Sequence, residues 1–305
     1  MNPVTRRDFL KAASAAGAMA TVLGSGELLK ANPLGLPLGV QLYSVREMLP
    51  KDYEGTLKKL AAIGYQEVEA AGFFGHTATE VKTAMKEAGL RCVSAHYPLS
   101  QLMPEEGEII QYGKDLGLQY IICAAPALKD PSRVKPEGAR AIADLMTLDD
   151  WRWNAEQFNR IGERVNAEGI RFGYHNHTGE FQAIDGAVPY DELMRLTDPK
   201  KVTMEMDCGW VVVGGANPVD YLKRYPTRIS MLHVKDFKMK GSPAAGNERP
   251  PSAEMGRGSI DYRPIFEAAK KANIKHAFVE QEEFLDLPPF EALKVDADYM
   301  KALTV

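Results

Sequence analysis

From Leu38 onward the chain alternates short apolar runs with longer amphipathic ones, the pattern of a parallel sheet whose strands are joined by crossover helices. The runs predicted as strands are Gly39 to Tyr43, Glu67 to Ala70, Cys92 to His96, Tyr120 to Cys123, Arg171 to His175, Val202 to Asp207, Ile229 to Lys235 and Ala277 to Gln281, eight in all. Between them, Tyr53 to Ile63, Thr79 to Ala88, Glu106 to Leu116, Leu148 to Glu168 and Ile265 to Ala272 place apolar residues at helical spacings of three and four. Gly64, Gly89, Gly117 and Gly169 each close a helix just before a strand, and Asn273 sits at the matching place. A helix that must stop and turn needs positive φ there, which glycine and then asparagine tolerate best. An open doubly wound sheet would place a glycine-rich phosphate loop after an early strand, and none follows Tyr43. Functional residues stand instead at the ends of many strands. The expectation is a single-domain (β/α)8 TIM barrel over residues 38–305, with Lys238 to Gly258, rich in Gly, Pro and Ser, as a long loop over its mouth.

Composition narrows the function. With 37 Lys+Arg against 41 Asp+Glu, a pI near 5.9 and no basic run, the chain lacks the footprint that nucleic-acid binding requires, so no nucleic-acid partner is expected. Cys92, Cys123 and Cys208 are widely spaced in or beside apolar runs and read as small buried hydrophobes.

Residues 1–31 are set apart. Thr5-Arg6-Arg7-Asp8-Phe9-Leu10-Lys11 precedes a weakly apolar Ala/Gly-rich stretch, and the whole resembles a twin-arginine export signal. The apolar stretch from Ala12 to Leu23 is too short to cross a bilayer. Ala18-Met19-Ala20 and Ala31 offer cleavage points, and no lipobox cysteine lies near them. The expectation is export by the twin-arginine route to a periplasmic or extracytoplasmic location, with no stable membrane insertion after processing.

Polar residues gather at strand ends, where a lone charge is costly to bury. Strand five ends Tyr174-His175-Asn176-His177 and continues to Glu180-Phe181. Strand six ends Glu205-Met206-Asp207-Cys208-Gly209-Trp210. Strand seven runs His233-Val234-Lys235-Asp236 and strand eight Val279-Glu280-Gln281. A barrel brings these ends to one opening, and carboxylates converging with imidazoles are the ligand set of a divalent cation such as Mn, Mg, Co or Zn. Taken singly, His233 also reads as a packed core histidine and Asp207 as a helix cap.

These motifs, with Gly39-Val40-Gln41-Leu42-Tyr43-Ser44-Val45-Arg46 and Leu148-Asp149-Asp150-Trp151, make the chain resemble the sugar phosphate isomerase/epimerase family, the xylose isomerase-like TIM barrels that also include endonuclease IV. The resemblance covers nearly everything after the leader. It implies Asp207, His233 and Glu280 as metal ligands. Many relatives carry a glutamate at the end of strand five; this chain has Tyr174 and His175 there, so Glu180 is taken as the fourth ligand, with His177 as its substitute. Relatives also often carry a histidine where this chain has Trp210, which is expected to stack on a sugar ring. His96, His177, Lys235 and Arg257 complete the expected substrate-binding set, Lys235 facing a developing oxyanion or pairing with Asp236, and Arg257 reaching in from the long loop. His76 reads as an exposed loop residue.

The implied chemistry is removal of a proton from the carbon beside a sugar carbonyl whose oxygen is polarised by the cation, with Glu280 and Glu180 as base and acid. Isomerisation, epimerisation and β-elimination share that step. The reading is a divalent-metal-dependent sugar isomerase or epimerase, with a lyase of 3-keto-glycosides and a non-catalytic carbohydrate-binding barrel as alternatives. Export favours a free carbohydrate over a phosphorylated one.

Overall fold

Eight parallel strands close on themselves in the computed structural model, which describes residues 32–134, 142–239 and 249–305. The export leader and the centre of the long loop after strand seven lie outside the described residues. The barrel strands are β1 (Gly39–Gln41), β2 (Glu67–Ala70), β3 (Arg91–Pro98), β4 (Tyr120–Ala125), β5 (Arg171–His175), β6 (Val202–Asp207), β7 (Ile229–Val234) and β10 (His276–Val279). Their order around the barrel is β1-β10-β7-β6-β5-β4-β3-β2. Closure is made at Gly39, which lies opposite Phe278 on one side and Glu67 on the other. Two short strands, β8 (Asp236–Phe237) and β9 (Ser252–Ala253), pair antiparallel within the expected loop.

All eight expected strands are present: β1 and β7 end earlier than expected, β3 and β4 run further, β10 is shifted towards the N-terminus, and the other three keep the expected bounds. β1 stops at Gln41 because the Gln41 side chain accepts the Tyr43 N–H and starts a 3-10 turn over Leu42–Val45. The expected helix at Glu106 starts earlier, spanning Leu99–Leu116, and the one expected from Ile265 spans Tyr262–Ala269, started by the Asp261 cap. Five described helices, Ile142–Leu145, Pro189–Leu196, Cys208–Val213, Pro218–Arg224 and Pro289–Ala302, have no counterpart among those expected from the sequence; the first four have eight residues or fewer, too few to display a period. Gly64, Gly89, Gly117 and Gly169 take φ of +111°, +75°, +89° and +81°, as a left-handed helix end requires. Asn273 does not join them: its helix has already ended at Ala269.

The longest helix, Leu148–Ala167, shows how the outer layer seats. Trp151, Ala155, Phe158, Ile161 and Val165 form one buried face against the barrel. At Gly162 a Cβ would stand 2.4 Å from the Lys201 carbonyl oxygen, so only glycine permits this approach. The helix starts in a capping box in which Asp150 Oδ2 accepts from Thr147 N at 2.8 Å and from Arg133 at 2.6 Å, while Oδ1 accepts from Lys129 N at 3.1 Å. Burial would raise the Asp150 pKa, but these donors outweigh it and hold the carboxyl at about 2. Asp150→Ala is expected to destabilise the fold by about 1–3 kcal/mol at pH 7 by urea unfolding. A carboxylate depressed on folding contributes above its unfolded pKa of roughly 4, so the penalty should fade as pH drops from there towards the folded value. A penalty independent of pH would show that the hydrogen-bonded charge is not its source.

The three cysteines are buried and free, as expected. Among the described residues no helix is long and apolar enough to cross a membrane.

Candidate functional site

At the C-terminal ends of the strands, register sets the polar side chains in two levels. Asp207 on β6 lies opposite His233 on β7, and His175 on β5 opposite Glu205 on β6. The upper level contains His175, Asp207, His233 and Glu280, each able to direct one donor atom at a common point. His175 Nε2 and His233 Nδ1 stand 3.9 and 4.0 Å from Asp207 Oδ2, and His233 Nδ1 is 3.0 Å from Glu280 Oε2. The lower level contains Glu69, His96 and Glu205 with the other nitrogens of the same two imidazoles. There His96 Nε2 is 2.6 Å from Glu69 Oε1 and 2.7 Å from Glu205 Oε2, His233 Nε2 is 2.7 Å from Glu69 Oε1, and His175 Nδ1 is 3.0 Å from Glu205 Oε2. Gln41 Nε2 donates to Glu69 Oε1 at 2.8 Å.

Asp207 serves two purposes. Its Oδ1 caps the helix Cys208–Val213 by accepting the Trp210 N–H at 2.8 Å, which turns Oδ2 towards the barrel axis. Lys235 then lies under three acids, its Nζ 2.8 Å from Asp207, 2.6 Å from Glu280 and 2.7 Å from Glu282. Gly209 makes this possible, since a Cβ there would stand 2.5 Å from Lys235 Cγ.

Nearly all of these groups are buried, and their protonation reflects it. Burial, with His233, His96, His177 and Lys235 around it, holds His175 well below its ordinary value, so its lone pair is available. Burial pushes Asp207 up, although Lys235 and His233 oppose it. Burial and the Glu69 carboxylate push Glu205 up to about 7. His233 is driven well above its ordinary value despite burial by Glu205, Glu280 and Glu69, and His96 to about 9 by Glu69 and Glu205. Glu280, against burial, is held well below the usual carboxylate range by Lys235 and His233. Asp207 Oδ2 is buried without an aligned hydrogen bond, as are Glu69 Oε2 and Glu205 Oε1. An available imidazole lone pair beside a buried carboxylate oxygen whose close partner is the Lys235 ammonium, with further acid close by, is a donor set suited to a divalent cation.

Of the expected ligands, the structure brings together Asp207, His233 and Glu280. It does not bring Glu180 to them. The 3-10 turn Gly179–Phe181 folds that carboxylate back so that Oε1 accepts the Tyr174 hydroxyl at 2.6 Å and the His177 N–H at 2.8 Å. The fourth donor is His175. His177 lines the mouth instead, where burial and Lys235 lower its pKa to about 4 and keep it neutral at pH 7.

A cavity of about 400 Å³ opens above the upper level, lined by residues including Tyr43, His96, His175, His177, Glu280 and Glu282. His96 and His177 are therefore at the expected place. Trp210 is not: it is buried, its ring covered by Phe237 and by the cations of Lys235 and Arg249 at 4.9 and 5.1 Å, which leaves no face for a sugar. Lys235 pairs with Asp207, Glu280 and Glu282 and not with Asp236, whose carboxylate accepts the N–H groups of Phe237, Gly256, Gly258 and Ile260. Arg257 is half exposed and lies 3.6 Å from Glu254, away from the cavity lining. The arginine of this loop that approaches the site is Arg249, 2.8 Å from Glu282. His76 is half-buried against Tyr53.

Sequence reading passed over Glu69, Glu205, Gln41, Glu282 and Arg249. For the two buried glutamates a signal was present: Glu67-Val68-Glu69 and Glu205-Met206-Asp207 alternate with the period of a strand, so each pair points to one side of the sheet.

Known proteins share this arrangement of strands. A family model described as xylose isomerase-like TIM barrel matches residues 57–303, and a twin-arginine translocation signal model matches residues 3–23, which indicates export through that route. A protein of Clostridium botulinum named inosose dehydratase is 31% identical over 240 residues, 72% of this chain and 78% of its own. A crystal structure of a sugar phosphate isomerase/epimerase from Parabacteroides distasonis superposes with a TM-score of 0.69 at 28% identity, covering 87% of this chain and 97% of that one. A xylose isomerase-like TIM barrel protein of Mycobacterium smegmatis in complex with magnesium shares the fold at 14% identity, with a TM-score of 0.61 over 89% of this chain and 97% of that one.

Proposed function

Because the chain belongs to the xylose isomerase-like TIM barrel family, we propose that it is an exported lyase that removes the substituent β to the carbonyl of an oxidised, unphosphorylated carbohydrate, with a divalent cation held by His175, Asp207, His233 and Glu280. The cation would supply Lewis acidity to the keto oxygen. Glu280 takes the proton from the neighbouring carbon: its contacts with His233 and Lys235 are all made through Oε2, leaving Oε1 for the substrate. Lys235 keeps that carboxylate ionised. His177, neutral at the opposite wall, orients a hydroxyl. As the C–H pair moves into the carbon–carbon bond, the β C–O bond breaks and the departing oxygen takes up the proton that Glu280 has received.

One observation carries the choice of elimination. Among the described residues the carboxylates lining the cavity are Glu280 and Glu282, both following β10, while β3 presents His96 and the end of β5 presents His175 and His177. Epimerisation needs an acid on the face opposite the base, and the imidazoles there are poorly placed to be one, since His175 would hold the ion, His96 is bound between Glu69 and Glu205, and His177 is neutral; elimination needs one base. The charged lining is acidic apart from these imidazoles, a poor setting for a phosphate dianion, and the twin-arginine signal indicates export, which favours a substrate met outside the cytoplasm, where free carbohydrates are found. The dehydratase name of the Clostridium botulinum relative fits this reading. The isomerase/epimerase name of the Parabacteroides distasonis structure supports the second one, proton return to the same or the adjacent carbon.

Incubating the metal-loaded protein with a 3-keto-glycoside and with a keto-inositol in deuterated water separates the two. Release of the aglycone or of water with formation of an enone is expected. Recovery of intact sugar carrying deuterium beside the carbonyl, with no enone, would replace elimination by isomerisation or epimerisation.

A further inference from the structure

The lower level of acids has no part in the reaction as described, and yet it is as deeply buried as the upper one. It has two possible uses: a second ion site, or a floor that orients the ligands of the first.

Spacing distinguishes them. Donors gripping one ion at about 2.0–2.2 Å stand about 3.3 Å apart in a tetrahedral set. In the lower level three pairs close to hydrogen-bond length, His96 Nε2 with Glu69 and Glu205 at 2.6 and 2.7 Å and His233 Nε2 with Glu69 at 2.7 Å, while His175 Nδ1 and His233 Nε2 stand 3.0 and 3.4 Å from Glu205. The upper donors, at 3.0 to 4.0 Å, leave room for an ion. Chemistry points the same way, because His175 and His233 each present one nitrogen to each level. A neutral imidazole has one lone pair and one N–H, so an ion above requires an N–H below.

We infer that Glu205 and Glu69 are positioning residues that accept the N–H groups of His175 Nδ1 and His233 Nε2 and so fix the tautomer that aims His175 Nε2 and His233 Nδ1 at the ion. Glu205 Oε2 accepts from His175 at 3.0 Å and Glu69 Oε1 from His233 at 2.7 Å. His96 Nε2, lying between the two carboxylates, ties them together. Gln41 completes the floor. Its Oε1 accepts the Tyr43 backbone N–H at 3.0 Å, which fixes the amide so that Nε2 must donate to Glu69. Orientation therefore passes from the backbone of the β1 turn, through Gln41 and Glu69, to a ligand nitrogen. Carboxylates behind ligand histidines commonly alter ion affinity 10–100-fold.

This inference rests on the ion of the proposed function, and the experiment separates them. Zn2+ is titrated into the purified chain and into Glu205→Gln and Glu69→Gln variants against a chromophoric chelator, with folding checked by circular dichroism. Imidazole protons of the zinc-loaded parent are located by long-range nitrogen–proton NMR. One ion per chain is expected throughout, bound about 10–100-fold more weakly by each variant, with N–H groups on His233 Nε2 and His175 Nδ1 of the parent. Two ions in the parent and one in Glu205→Gln would make Glu205 a ligand and overturn the inference, as would unchanged affinity, or protons on the opposite nitrogens. The NMR result stands even where a variant fails to fold. A parent that takes up no Zn2+ overturns the ion itself, whereas a parent that binds one ion with affinity indifferent to both variants overturns only the floor.

Discussion

Glu280→Gln will fold as the parent does and turn over its substrate about 10²–10⁴-fold more slowly with the cation at saturation. The amide keeps the volume of the carboxylate and an oxygen that still faces His233 Nδ1, but it cannot take a proton. Kinetics in saturating ion separate this loss from weakened ion binding, since a ligand defect is relieved by added metal and a missing base is not. A fall of less than tenfold would move the base elsewhere, with Glu282 next, as it lines the same cavity.

The second large effect is on stability. Lys235→Met will destabilise the ion-free protein by about 3–5 kcal/mol, because it leaves Asp207, Glu280 and Glu282 without the ammonium that all three share. Methionine fills the space of the aliphatic stem, so the loss is electrostatic in origin and two signatures follow. The penalty should shrink as pH falls, since Asp207 already sits above its ordinary pKa and protonates early, and it should shrink again when a divalent ion is supplied. Urea unfolding in EDTA, with and without excess Zn2+, measures both. A penalty under about 1 kcal/mol would mean that these acids do not depend on Lys235.

Much of this architecture is legible in the order of residues, because the period of a strand and the glycine that ends a helix are local signals. Gly64, Gly89, Gly117 and Gly169 mark four junctions by conformational necessity alone. Asp207, His233 and Glu280 were legible for a related reason: a charge at the end of an apolar run has few ways to be compensated. Glu180 misled because proximity in sequence does not fix direction. Five residues after His175 the chain has turned, and its carboxylate faces back to Tyr174. Trp210 and Arg257 misled because their surroundings are made by distant chain: Phe237 covers the indole, and of the loop's arginines it is Arg249 that meets Glu282 beyond β10, while Arg257 stays beside Glu254. Glu69 and Glu205 are two separate strands' residues that acquire a purpose only beside His96 and His233, across a barrel whose closure no local pattern states.

The pairing of β8 with β9 and the four N–H groups gathered by Asp236 have an evolutionary corollary. They fasten both stems of the excursion at its base, one residue from Lys235, so the backbone beside the groups that perform the chemistry is held from both sides of the excursion. Lengthening the excursion costs little, as closing a longer flexible loop adds only about 0.6 kcal/mol per doubling. The hairpin is thus a grafting point, where sequence can be inserted or deleted while the acids beneath it keep their places.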